Sequence, residues 1–189
     1  PRDGFLELKA NKKGSAAVVT IIVAIWLFVE LFYRVVTDFD MNPFTDAPVS
    51  LLRTALITVI IFFMVAISNW CFCTLLDGKG KILDICVVLS CALVPYIIAR
   101  FGTTLLSLVL AGDEKVFLNY FVIITEVWGA AIAFCGLEEM HEYSVPKTIL
   151  AIFLTAVGLT IMLFIALMLL SLFQQLYFFI VTVFYQIRY

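Results

Sequence analysis

NWCFCTLLDGKGKILDICVVLSCALVPY, residues 69–96, carries the reading of the whole chain. An apolar run ends, a polar DGKGK turn from Asp77 to Lys81 interrupts it, and a second apolar run begins. Such a pattern is hard to accommodate in water. In a bilayer it is a helical hairpin whose turn lies at one surface, because only internally bonded backbone can cross the hydrocarbon.

The rest of the chain repeats the same composition. Of its 189 residues 64% are hydrophobic and 14% charged, with mean hydropathy +1.13. Soluble domains are about half apolar and about a quarter charged. The excess falls in blocks of about 20 residues, enough to cross a hydrocarbon core of about 30 Å as helix. The blocks do not alternate as barrel strands would. The expected fold is therefore an all-α integral membrane protein with a bundle of five transmembrane helices. A net charge of −2 and a pI near 5.3 exclude a nucleic-acid partner, which demands a basic face. Five cysteines, all in or beside apolar blocks, read as small buried hydrophobes rather than a disulfide framework.

Working outward, residues 1–15 form a basic arm, expected as a topogenic flank, with a short interfacial helix on anionic lipid as the alternative. Spans are expected at about 16–36, 51–76, 82–101, 116–137 and 148–170, with Pro95 kinking the third. Between the first two lies TDFDMNPFTDAP, with three Asp and no base. Residues 171–189 are rich in aromatics, with Gln174 and Gln175 at the expected membrane boundary, and read as an interfacial tail or an extension along a partner. A sixth span would need a reversal at Phe173 to Leu176, which lacks Gly and Pro. With the amino terminus inside, seven basic residues flank the spans on the cytoplasmic side against five on the other. The amino terminus is thus expected in the cytoplasm and the carboxyl terminus outside it.

No stretch carries an enzyme's constellation, and no cofactor is implied. DGKGK lacks the GxxxxGK[ST] spacing of a phosphate loop, and Gly78 and Gly80 read as residues permitting positive φ in a tight reversal. Glu138, His141 and Glu142 share one helical face, a weak metal set, since diiron bundles need two Glu-x-x-His pairs and this chain has one histidine. The favoured reading joins Asp77, Gly78, Lys79, Gly80 and Lys81 to His141, Tyr143, Ser144 and Lys147 in a cytoplasmic cap or partner contact. Glu30, Arg53, Arg100 and Glu126 fall within or at the ends of spans, where ionisable groups are costly, and are expected to pair with one another. Gly129 with Ala133, and Ala151 with Thr155, read as close helix packing.

The order NW…LLDGKG…D…LVPY, then W…G…HEYS..K, then a long apolar helix ending SLFQQLY, resembles the bacterial branch of the Yip1 family. Asn69, Trp70, Asp77, Gly78, Lys79, Gly80, Asp84, Pro95, Tyr96, Trp128, Gly136, His141, Tyr143, Ser144 and Lys147 carry the likeness. It implies a five-span bundle with a cytosolic amino terminus in a cell membrane. Eukaryotic relatives associate with prenylated small GTPases, but this short arm lacks their Asp-Leu-Tyr-Gly-Pro motif, so GTPase binding is not expected. The expected function is a non-catalytic scaffold for other integral membrane proteins or for itself. One alternative is an accessory subunit of a sugar-type ABC importer, contacting its permeases. The other is a small channel or carrier using Glu126.

Overall fold

The computed structural model describes residues 2–10, 15–37, 50–110 and 114–188, and all described elements are helices. They are α1 (Arg2–Ala10), α2 (Ala16–Val36), α3 (Leu51–Leu75), α4 (Ile82–Ser107), α5 (Lys115–His141) and α6 (Val145–Arg188). Five of them are long and apolar enough to cross a membrane. The acidic stretch between α2 and α3, on which part of the orientation argument rests, lies outside the described residues.

Helix α4 is the centre of the bundle. It packs most extensively on α5 and then on α2, and also touches α3. Ile85 and Val88 are fully buried in a core completed by Val19, Phe62, Ala66, Leu137 and Met140. Several hydroxyls inside the spans bond their own helices. Ser90 donates to the Val87 carbonyl at 3.0 Å, and Thr104 to that of Arg100 at 2.7 Å. Such back-bonding removes the cost of a bare hydroxyl in an apolar medium. Pro95 lies inside α4 without ending it.

Close approach is built on small residues. A Cβ on Gly129 would stand 2.5 Å from the Ala92 carbonyl oxygen, so α5 meets the α4 backbone where only glycine fits. Across α3 and α6, Ser68 donates to the Thr155 carbonyl at 2.8 Å, and Asn69 donates to the Thr155 hydroxyl at 3.0 Å.

One element differs from the expectation and another extends it. The arm is not a bare basic flank: α1 is a helix docked on the end of α5, with Phe5 only 5% exposed in the core. The helix of the last span continues into the aromatic tail. Helix α6 runs unbroken through Gln174 and Gln175 to Arg188, because glutamine is a good helix former and neither Gly nor Pro intervenes.

Candidate functional site

At the end of the bundle where α1 docks, α3 and α5 terminate side by side. Each ends in a left-handed residue that is not glycine, Asp77 at φ 58° and Glu142 at φ 56°. In both, the next amide reaches back to the helix: Gly78 N–H to the Cys73 carbonyl at 2.8 Å, and Tyr143 N–H to the Glu138 carbonyl at 3.0 Å. This is the Schellman way of satisfying terminal carbonyls. Gly78 and Gly80 therefore do not supply the positive φ expected of them. They supply room. A Cβ on Gly78 would lie 2.5 Å from both His141 Nδ1 and the Tyr143 hydroxyl, and one on Gly80 would lie 2.9 Å from His141 Cε1.

That room is filled by His141 and Tyr143, whose rings stack at 5.2 Å with 19° between planes. His141 is 2% exposed, and its Nδ1 accepts from the Gly80 N–H at 3.3 Å. An accepting Nδ1 places the proton of a neutral ring on Nε2, which is buried without a partner. The Tyr143 hydroxyl donates to the Cys73 carbonyl at 2.8 Å and lies 3.3 Å from that of Leu76. Burial, then the neighbouring Cys73, push the phenol's pKa upward, so it stays a donor. Lys147 Nζ sits 4.6 Å above the Tyr143 ring, a cation–π contact. The Ser144 carbonyl takes the Thr148 amide at 2.9 Å and begins α6. Asp84 accepts from the Lys81 N–H at 2.9 Å and begins α4.

Glu142 joins three elements. It is salt-bridged to Lys79 of the turn and, at 2.9 Å, to Lys9 of α1. The hydrogen bonds from Lys79 and Lys9 hold its carboxyl well below the usual range, at about 2. Lys9 also donates to the carbonyls of Glu139 at 3.1 Å and Met140 at 3.0 Å, closing orphan acceptors at the negative end of α5. Arg2 pairs with Glu138. Arg2 and Lys9 were not assigned to this region from sequence. Their spacing with Phe5 (2, 5, 9) puts all three on one helical face, which is the signal that would have found them.

The weak metal set is therefore consumed by the chain itself: Glu138 by Arg2, Glu142 by two lysines and His141 Nδ1 by Gly80. Among the described residues no group of three His, Cys, Asp or Glu is placed to hold a metal ion.

The intramembrane charges do not pair with one another. No ion pair among the described residues joins any two of Glu30, Arg53, Arg100 and Glu126. Instead Tyr96 donates to Glu30 at 2.6 Å, and the Arg100 guanidinium lies 3.5 Å from the centre of the Tyr33 ring. A neutral donor thus meets Glu30 and a ring face meets the Arg100 guanidinium, whose Nε is buried without a hydrogen-bond partner. Arg53 is exposed at the start of α3. Glu126 is exposed and lines, with Trp26, Tyr96 and Gly129, a mostly apolar cavity of about 390 Å³.

Fold and site together define a polytopic helical membrane protein whose polar residues close one end of its bundle. The model of the Yip1 domain matches residues 1–169. The chain belongs to the Yip1 family. No curated protein and no solved structure matches it.

Proposed function

We propose that this chain is a non-catalytic scaffold that binds other integral membrane proteins, or further copies of itself, through α6. The observation that carries this is the length and bareness of that helix. Its apolar part, Val145–Gln186, holds 42 residues. At 1.5 Å per residue these extend about 63 Å, roughly twice the hydrocarbon thickness. Within the chain α6 packs chiefly on α3, and from Phe164 onward its large side chains are mostly exposed, Phe173 by 64% and Phe184 by 69%. One bilayer crossing covers only part of that surface, and the aromatic remainder needs protein or headgroup contact.

The end where α1, the DGKGK turn and HEYSVPK meet is assigned to the cytoplasm on the balance of basic residues, and the membrane to a bacterial plasma membrane on the resemblance. A photo-crosslinker placed at Phe173 in native membranes tests the scaffold reading. Discrete protein adducts are expected there and not from one at Phe28 of α2. Adducts to permease subunits would identify the importer-accessory form, and adducts of the chain to itself an oligomer. Lipid-only products at both positions would refute a partner on α6.

A further inference from the structure

Beside the Glu142 salt bridges, a cleft of about 380 Å³ opens between α1, the turn and the first residues of α4. Lys9, Lys79 and Lys81 line it from two different elements, and Leu8, Leu83, Val87 and Met140 make its apolar wall. The one acid in the lining, Asp84, is committed to the Lys81 N–H at the start of α4. Lys9 and Lys79 share Glu142. No carboxylate lies within 4.0 Å of the Lys81 ammonium among the described residues. Along the cleft three ammonium groups thus face two carboxylates, Asp84 of the lining and the shared Glu142.

The cleft sits where α4 begins, at Ile82, the first residue of a membrane span. For a span that starts there this is headgroup depth, and the lining sets ammonium groups beside leucines. Basic pockets at this level bind lipid headgroups. We infer that the cleft binds one anionic phospholipid, its singly charged phosphodiester against Lys81 between Lys79 and Lys9, and its acyl chains over Leu83 and Leu8. One surplus charge matches a phosphodiester whose headgroup is neutral, such as phosphatidylglycerol. A zwitterionic headgroup brings its own cation and gains nothing there. The bound lipid bridges α1 to the turn, so it tightens the docking of α1. This site does not depend on α6 having a partner.

The test is native mass spectrometry of the delipidated full chain in detergent, titrated with phosphatidylglycerol or phosphatidylcholine of equal acyl composition. Binding of the first single lipid should favour phosphatidylglycerol by about five-fold, from the attraction of one lysine near the surface. Lys81→Gln should bring that ratio to parity, Lys81→Arg should keep it, and Arg53→Gln, at the other end of the bundle, should leave it unchanged. Glycerophosphoglycerol, the same phosphodiester without acyl chains, should fail to displace the lipid at equal concentration. Equal binding of the two lipids by the unaltered chain would overturn the site, and so would a preference that survives in Lys81→Gln. Displacement by the soluble ester would overturn the lipid and leave a site for a free phosphodiester.

Discussion

Replacing Gly78 by Ala probes the closure of the bundle end at its tightest point. The new methyl would stand 2.5 Å from His141 Nδ1 and from the Tyr143 hydroxyl, and 2.8 Å from the Cys73 carbonyl oxygen. The two side chains can shift, but the carbonyl belongs to the last turn of α3 and accepts both the Gly78 amide and the Tyr143 hydroxyl. Overpacking of this kind costs about 1–3 kcal/mol. Weakening the Gly80–His141 or Tyr143–Cys73 hydrogen bond adds about 1 kcal/mol, giving about 2–4 kcal/mol in all. At about 2–4 °C per kcal/mol for a chain of this size, Tm should fall by roughly 4–16 °C. The control is Gly102→Ala inside α4, where nothing lies within 4 Å of the added Cβ. There the helix gains about 0.5–1 kcal/mol, and Tm should hold or rise. Thermal unfolding of both variants in one detergent, followed by tryptophan fluorescence, gives the answer. If Gly78→Ala melts at or above the parent, or Gly102→Ala falls as far, the close-approach argument is wrong.

Acid should loosen the same end. The Glu142 carboxyl is held at about 2, below its ordinary 4.5, so its contribution is complete above 4.5 and fades as pH falls toward 2. Tm should therefore drop across that window, and Glu142→Gln should be less stable at neutral pH with a flatter profile; identical profiles for the two proteins would count against the Lys9–Glu142–Lys79 link. A double-mutant cycle of Asn69→Ala and Thr155→Ala reads the strap between α3 and α6. Its coupling energy should be about 0.6–1.7 kcal/mol, as for buried hydrogen bonds in other membrane bundles, and a value near zero would remove that strap.

The spans were legible because bilayer thickness writes itself into the length of apolar blocks, and the DGKGK and HEYSVPK turns share an end by simple alternation. The purpose of the glycines was not. A residue that needs positive φ and one that needs an empty Cβ position look alike in sequence, and here Asp77 took the first role while Gly78 and Gly80 took the second. Arg2 and Lys9 were read as topogenic charge, which is scored by side of membrane and is blind to the Glu138 and Glu142 that receive them. Glu30 was matched to an arginine because both are charged, whereas its donor is the neutral Tyr96, one helical turn from Arg100. The continuity of α6 was not legible either, because a pair of glutamines marks polarity without interrupting backbone hydrogen bonding.

The continuity of α6 has a mechanical meaning. Its first turn leaves directly from Tyr143 and Ser144, so it is rooted in the closed end of the bundle while the large side chains of its far part are mostly exposed among the described residues. A rod of 44 residues is about 66 Å long, and a tilt of about 5° at its root carries the tip about 6 Å. A change of ion pairing beside His141 that tilted the root by that much would be displayed at the other end as a movement as large as a side chain.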